Sequence, residues 1–263
     1  MADFIGDWLV SEYVYTPTGE YVGRVRQRRR LEPDNGRIRV IQVCEPLEPG
    51  GKLSALGRET AAVMDRRVGE FVFDLEMVGR ARRYLGPDVR GGGLVWTAGV
   101  LTARGLWPRF GYNFTSFSIL LTPRRQVTGG RFFLAHREVA VIVGVAGPAA
   151  AGYPDLEPPS PQVYTGPRIT VTAQGEPVDE TPVVVADLLG DLQRQAPTWQ
   201  GCCQTYGPLL EAEGVAGPGE TVSLLAVTDV VGGALVGLIR WHRDELLHRI
   251  QVYRLHVAAE ARP

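Results

Sequence analysis

The chain opens with FIGDWLVSEYVY at residues 4–15, which contains a short lead-in, the triplet Gly6-Asp7-Trp8 and an alternating run through Tyr13 and Tyr15. Alternation of this kind predicts a first β-strand, with successive side chains on opposite faces. We interpret this order as the start of an antiparallel sheet that rolls into a barrel around a cavity. The opening therefore predicts a protein that holds something small and apolar.

Strand-like segments recur along the rest of the chain between turn-forming residues, since 32 Gly and 19 Pro punctuate the 263 residues. This spacing favours an all-β barrel or sandwich over alternating βαβ units. The run Phe71–Met77 alternates cleanly and predicts a half-buried strand, whereas Val139–Val143 is apolar on both faces and should be buried on both. The predicted strands are Tyr21–Leu31, Arg37–Cys44, Phe71–Met77, Leu94–Leu101, Tyr112–Leu121, Arg131–Ala135, Glu138–Val145, Arg168–Ala173, Thr221–Thr228, Ala234–Trp241 and Leu246–Val257.

An arginine-rich hairpin joins the second and third strands through the turn Glu32–Gly36. If the turn is tight, Arg30 lies opposite Arg39 and Arg28 lies opposite Ile41. Like charges directly opposite each other are unfavourable in a sheet. We therefore expect this face to be solvated or to meet acidic groups, and the hairpin Arg24–Arg39 could dock an acidic partner.

Two or three short helices interrupt the strands. Thr181-Pro182 suggests a capped helix that runs to Gln195, Arg58–Arg67 suggests another, and Leu209–Glu213 suggests a short turn. The Ala-, Gly- and Pro-rich segment Ala146–Gly166 is predicted to be a long loop over the mouth of a barrel or a linker between two β units. Because the C-terminal third offers only three or four strands, we expect one enlarged barrel domain over residues 1–263.

The composition argues against several function classes. The formal net charge of −1 does not suit a nucleic-acid binder, and no apolar segment is long enough to span a membrane. Residues 1–20 show no secretory signal, so the expected location is cytoplasmic. Cys44, Cys202 and Cys203 form neither a disulfide framework nor a zinc spacing, and we expect no metal and no cofactor. The chain could form a homodimer.

The Gly6-Asp7-Trp8 opening resembles that of the lipocalin and calycin superfamily, in which a Gly-x-Trp begins the first strand. The resemblance implies that Trp8 plugs the closed end of a barrel and that an arginine of the final strand, here Arg254, lies across its ring. Some proteins of that group bind apolar ligands, and others act as cyclases or hydratases. Another antiparallel β fold stays open as the alternative.

The predicted ligand site is an aromatic stretch that contains interspersed arginine and amide groups. This mixture suits a pocket that holds an apolar body with one polar head, although a plain core strand would look similar. The predicted ligand-binding residues are Phe73, Trp96, Trp107, Phe110, Tyr112, Phe114 and Phe117.

The chain also offers candidates for acid–base catalysis. His136 and Glu138 could form a general acid–base pair, with Tyr112 as a third candidate, although a strand-edge histidine without chemistry fits equally well. The leading hypothesis is thus binding of a small hydrophobic ligand in the barrel. One alternative is a cofactor-independent cyclase, hydratase or isomerase that acts on an apolar substrate in the same cavity. The other is an interaction or structural protein that docks an acidic partner through the hairpin Arg24–Arg39.

Overall fold

The computed structural model describes residues 4–97, 99–156, 162–229 and 233–258 and divides into two compact units, Met1–Asp155 and Leu156–Pro263. Strands make up 67% of the structure, with two α-helices, so the mostly-β prediction is confirmed. The strands are shared between two sheets, whereas the sequence analysis placed them all in one barrel. No helix in the described parts of the chain is long and apolar enough to cross a membrane.

The first unit contains eleven strands and one α-helix. These elements are β1 (Gly6–Tyr15), β2 (Tyr21–Asp34), β3 (Arg37–Cys44), β4 (Glu48–Pro49), α1 (Ala55–Asp65), β5 (Gly69–Val78), β6 (Ala81–Leu85), β7 (Arg90–Thr97), β8 (Val100–Trp107), β9 (Tyr112–Thr122), β10 (Arg125–Leu134) and β11 (Arg137–Pro148). The predicted linker Ala146–Gly166 therefore begins too early, because its first residues still pair in β11.

Ten of these strands form a closed antiparallel barrel. Each pairs with its neighbour in the order β1-β11-β10-β9-β8-β7-β6-β5-β3-β2, and β2 pairs again with β1 to close the ring. The short β4 pairs with β2 outside this ring. Closure leaves no unpaired sheet edge and encloses an interior that side chains must fill or leave hollow. The predicted barrel is confirmed.

Alternation assigns one face of each strand to the interior. Trp8, Val10 and Val14 of β1 belong to the core cluster of the barrel, as do Phe71 and Leu75 of β5. The half-buried strand predicted at residues 71–77 is confirmed by this pattern. Residues 139–145 of β11 are buried throughout, which confirms that this strand is covered on both faces.

The β2–β3 hairpin is tighter than predicted. Its strands continue through Asp34 and Arg37, and only Asn35 and Gly36 turn, both with positive φ (47° and 79°). This is the Asn-Gly geometry of a two-residue type I′ turn. The predicted register was therefore wrong: Glu32, not Arg30, lies opposite Arg39, so opposite charges face each other.

The second unit is an open antiparallel sheet of seven strands with one helix. Its elements are β12 (Tyr164–Thr172), β13 (Pro177–Val185), α2 (Leu188–Gln195), β14 (Gln200–Tyr206), β15 (Leu209–Gly217), β16 (Glu220–Asp229), β17 (Ala234–Arg243) and β18 (Leu246–Val257). The strand order is β13-β12-β18-β17-β16-β15-β14. This unit has seven strands, whereas the sequence analysis expected three or four in the C-terminal third of the chain.

Two helix boundaries and one turn were wrong in the sequence analysis. Pro182 lies in β13, an edge strand, where a residue without an N–H is tolerated. Helix α2 instead begins after Asp187, whose side chain accepts a hydrogen bond from the Gly190 N–H. The segment Leu209–Glu213 is part of β15. Helix α1 begins earlier than predicted because Ser54 caps it.

Candidate functional site

The interior of the barrel contains a cavity of about 120 Å³ that is partly open to solvent. Its walls come from β1, β2, β3, β5, β6, β8, β9, β10 and β11, so the closed ring of strands itself forms the site. The described residues that line it include Phe4, Glu12, Arg29, Leu31, Val40, Gln42, Arg67, Phe73, Arg82, Tyr84, Val89, Trp107, Phe114, Ser116, Ser118, Gln126, Thr128, Phe132 and Ile142.

One wall of the cavity is an aromatic cluster centred on Trp107. The Trp107 ring lies 5.0–6.4 Å, centroid to centroid, from the rings of Phe71, Phe110, Phe114 and Phe132. The contacts with Phe114 and Phe132 are edge-to-face, which is a favoured aromatic geometry. Rings held in this way form a rigid apolar wall, against which an aliphatic or aromatic body can pack without reorganisation of the protein.

Strands β9 and β10 contribute Phe114 and Phe132 to this wall, but they become polar further along. There the inward positions carry short polar groups from Ser116, Ser118, Gln126 and Thr128. The Thr128 hydroxyl donates to the Phe117 carbonyl oxygen at 3.1 Å. The cavity is therefore two-sided, with an aromatic wall and a polar stripe, as is usual for small-molecule sites.

A buried ion pair crosses the interior between β1 and the residue that follows helix α1. Arg67 Nη2 donates to Glu12 Oε2 at 3.0 Å, and the two side chains are only 3% and 8% exposed. The guanidinium also lies 5.3 Å from the Trp107 ring centre and 4.9 Å from that of Phe132. Burial disfavours its charge, but the Glu12 carboxylate and Cys44 outweigh that penalty and raise the pKa of Arg67.

Two further arginines face the cavity. Arg29 of β2 donates from Nη2 to Gln27 Oε1 at 3.0 Å, and Arg82 of β6 lies over the Tyr84 ring at 4.8 Å. Burial lowers the pKa of Arg29, and the positive charge of Arg82 also acts in that direction, although Glu12 opposes both. The Nε atoms of Arg29 and Arg82 are buried and make no hydrogen bond within the described structure.

The structure separates the predicted ligand-binding residues into two groups. Phe73, Trp107 and Phe114 line the cavity, whereas Trp96, Phe110, Tyr112 and Phe117 do not. Side chains alternate along β9, so the prediction could not hold for both Phe114 and Phe117. Phe117 is buried on the opposite face of that strand.

The other three residues that miss the cavity are parts of the surrounding framework. Trp96 is buried and donates from its indole N–H to Thr102 Oγ1 at 2.8 Å. Tyr112, at the first position of β9, is fully buried and packs against the Phe110 ring at 6.3 Å. Phe110, whose ring lies 5.6 Å from that of Trp107, and Tyr112 thus support the aromatic wall from outside the cavity.

The predicted catalytic residues do not meet at the cavity. His136 lies exposed in the turn between β10 and β11, after Ala135 with its positive φ of 55°. Glu138 forms an ion pair with Arg131 on the neighbouring strand. Neither residue, nor Tyr112, lines the cavity, so the structure does not bring these three candidates together there.

Trp8 is buried in the barrel core, and its indole N–H donates to the Phe4 carbonyl oxygen at 3.0 Å. Gly6, with a φ of 135°, takes a backbone conformation that other residues rarely adopt, which explains the glycine of the Gly-x-Trp opening. The closing strand of the barrel is β11. Arg254 instead lies on β18 of the second unit, and the arginine directly opposite Trp8 is Arg29.

Glu12, Arg29, Arg67 and Arg82 were missed by the sequence analysis. For Glu12 and Arg29 a signal was present, because each alternates with inward apolar residues: Glu12 with Val10 and Val14, and Arg29 with Leu31. Arg67 follows a helix and carries no periodic signal. Among the described residues, no group of His, Cys, Asp or Glu side chains could hold a metal ion.

No protein-family model matches the chain, and no curated protein does. One solved structure, a protein with unknown function from the DUF3598 family of Nostoc punctiforme, is 12% identical over 97% of both chains, with a TM-score of 0.52. An S-type phycobiliprotein lyase from Guillardia theta is 8% identical over 55% of this chain and 86% of its own, with a TM-score of 0.37.

A kievitone hydratase from Nectria haematococca is also 8% identical, over 98% of this chain and 90% of its own, with a TM-score of 0.18. The similarity to the DUF3598 protein is one of fold alone. The other two similarities are too low to indicate a function.

Proposed function

We propose that the barrel binds a small hydrophobic molecule in its interior cavity. The observation that carries this proposal is the partly open cavity of about 120 Å³ with the Trp107-centred aromatic wall. A barrel built only for stability would fill this space with side chains, because an unfilled cavity lowers stability in proportion to its volume. A ligand that fills it recovers the lost apolar contacts.

The size of the cavity limits the part of the ligand that it encloses. An engineered apolar cavity of about 150 Å³ accepts a benzene molecule. The present cavity is similar in scale and partly open, so it can enclose one ring or a short alkyl segment while the rest of the ligand extends through the opening. Each buried methylene group then contributes about 0.8 kcal/mol of transfer free energy.

A matched pair of substitutions on β9 tests this proposal. Ser116→Phe adds a ring inside the cavity, whereas Asn113→Phe adds the same ring at an exposed position of the same strand. Binding of 1-octanol is measured by titration calorimetry and by the change in tryptophan fluorescence, to which Trp107 contributes from the wall of the site. We expect the wild type and Asn113→Phe to bind and Ser116→Phe to lose binding; equal binding by all three would place the probe elsewhere.

Native mass spectrometry of protein purified from its own host complements this test. A ligand that co-purifies with the wild type and is absent from the Ser116→Phe variant would identify the ligand class directly. A co-purifying molecule that the variant retains would contradict binding in the cavity.

An enzymatic function would depend on Glu12, which is not one of the predicted catalytic residues. Among the described residues that line the cavity, Glu12 is the one carboxylate. Because its Oε2 atom accepts from Arg67, only the other oxygen is available to move a proton. Conversion of a co-purified ligand to an isomer or a hydrated product by the wild type, and its loss in Glu12→Gln with binding retained, would favour an enzyme over a carrier.

The docking alternative has less support than the cavity. The outward arginines of the β2–β3 hairpin face carboxylates of the same unit: Arg24 lies 2.9 Å from Glu48, and Arg30 lies 2.9 Å from Asp7. Arg39 lies 2.7 Å from Asp34. These pairs neutralise charge that an acidic partner would need.

A further inference from the structure

We propose that the ligand of the barrel cavity carries an anionic head group, which binds between the guanidinium groups of Arg29 and Arg82. This inference deepens the proposed function and rests on it. It starts from the charges that line the cavity, which include three arginines and one carboxylate among the described residues. Three positive groups and one negative group leave an excess of positive charge inside a largely apolar interior.

The single carboxylate, Glu12, already forms an ion pair. Glu12 accepts from Arg67 at 3.0 Å, and both side chains are almost fully buried, so these two charges compensate each other. Neither Arg29 nor Arg82 has a carboxylate within 4.0 Å among the described residues. Each instead contacts a neutral group, the Gln27 amide oxygen for Arg29 and the Tyr84 ring for Arg82.

The lack of a carboxylate partner distinguishes Arg29 from the other arginines of β2. The arginines that point away from the barrel interior have carboxylate partners, as Arg28 and Arg30 do with Asp7. Arg29 points inward between them, opposite Trp8 on β1 and Gln42 on β3. The chain therefore places a carboxylate within 4.0 Å of the exposed arginines of this strand, but among the described residues it places none within that distance of the inward one.

Arg29 and Arg82 are half-buried, and a charge that is partly withdrawn from water without an ion-pair partner is costly, because the protein interior solvates an ion poorly. Both guanidinium groups line the same cavity, where burial and, to a smaller extent, the positive charge of Arg82 lower the pKa of Arg29. An anion placed between them would remove this repulsion and accept hydrogen bonds from donors that are unsatisfied, including both Nε–H groups. The planar guanidinium fork suits carboxylate and phosphate oxygens in particular.

The position of these arginines relative to the aromatic wall sets the shape of the ligand. Trp107, Phe114 and Phe132 offer apolar contacts, and Tyr84 belongs to the same lining as both arginines. The ligand class is thus a hydrophobic anion, with an alkyl or aromatic body against the rings and a carboxylate or phosphate at the arginines.

Three probes with the same alkyl chain test the head group: octanoate, octyl phosphate and 1-octanol. We expect the wild type to bind at least one of the anions about tenfold or more tightly than the alcohol, by titration calorimetry. Arg29→Met combined with Arg82→Met should weaken that anion by about ten- to a hundredfold and the alcohol by less than about threefold. The comparison of octanoate with octyl phosphate identifies the preferred head group.

Arg30→Met is the matched control, since Arg30 is adjacent to Arg29 on β2 but forms an exposed pair with Asp7. It should leave all three affinities unchanged. If the alcohol binds as tightly as both anions, or if the double variant weakens all three probes equally, the head-group proposal is overturned while binding in the cavity stands. If no probe binds to the wild type, or if Ser116→Phe leaves binding intact, the proposed function itself fails.

Discussion

Arg67 Nη2 lies 3.0 Å from Glu12 Oε2 in the interior of the barrel, with the Trp107 and Phe132 rings on the guanidinium. The pair links β1 to the segment that follows helix α1, at the side of the cavity. It neutralises two charges that the interior could not hold separately. The other two inward arginines, Arg29 and Arg82, lack such an ion pair within the described structure.

Loss of Arg67 should be strongly destabilising. Arg67→Met leaves the Glu12 carboxylate buried without its partner, so we expect the free energy of unfolding to fall by about 3–5 kcal/mol. Urea denaturation followed by tryptophan fluorescence measures this change. Arg83→Met is the control, because Arg83 is 60% exposed and its pair with Glu76 should contribute less than about 1 kcal/mol. Similar losses in both variants would show that burial does not make the Arg67 pair special.

Replacement of both charges should restore the stability that the single substitution removes. Glu12→Leu combined with Arg67→Met leaves no uncompensated charge, and apolar residues can pack against the aromatic wall. We expect the double variant to unfold at a urea concentration close to that of the wild type. A double variant as unstable as Arg67→Met alone would mean that the packing of Arg67, not its charge, maintains the barrel.

Loss of Arg29, unlike loss of Arg67, should raise the stability of the ligand-free protein. Arg29→Met removes a half-buried charge that has no carboxylate within ion-pair distance, so the ligand-free protein should melt about 2–4 °C higher than the wild type. Differential scanning calorimetry on protein stripped of ligand measures the shift, and Arg30→Met on the outer face should change it little. A lower melting temperature for Arg29→Met would reveal compensation of the Arg29 charge in the ligand-free barrel.

Helix α1 should add an acid-sensitive contribution to stability. The Glu20 carboxylate accepts from the Ser54 backbone N–H at 2.9 Å and from its hydroxyl, and these hydrogen bonds lower the pKa of Glu20. An acidic group whose pKa is lower in the folded state stabilises the protein above its unfolded pKa. That contribution is lost as the pH falls through the folded pKa.

Glu20→Gln tests this directly. The wild type should be the more stable protein near neutral pH, and the difference in urea midpoint between the two should shrink below about pH 5. Glu180→Gln, at an exposed position of β13, serves as the control. A difference that stays constant across the acidic range would exclude ionisation of Glu20 as its cause.

The barrel could be predicted because strand-like residue patterns recur along the chain. The clean alternation from Phe71 to Met77 and the two-sided apolar run Val139–Val143 both mark strands without reference to any partner. The hairpin register depended on one detail, the length of the turn, which consists of only Asn35 and Gly36. A choice of the wrong turn length moves every cross-strand pair, and it placed Arg30 opposite Arg39.

The site was harder to predict, because charges in a barrel interior contradict the usual pattern. A run with arginine at residues 24, 26, 28, 29 and 30 looks like a solvated face, and only the alternation of Arg29 with Leu31 shows that it points inward. Arg254 was assigned to the closing strand because the division between two sheets is a property of strand pairing, which a single sequence does not display. The Glu12–Arg67 contact joins positions that are far apart in sequence and becomes visible only in three dimensions.

The most direct test of a ligand-binding barrel is a crystal structure of the protein grown with octanoate. We predict that the alkyl chain lies inside the barrel against Trp107 and Phe114, with its carboxylate between Arg29 and Arg82. Octanoate bound only on the outer surface, with the space beside Trp107 occupied by ordered water or collapsed side chains, would contradict the account.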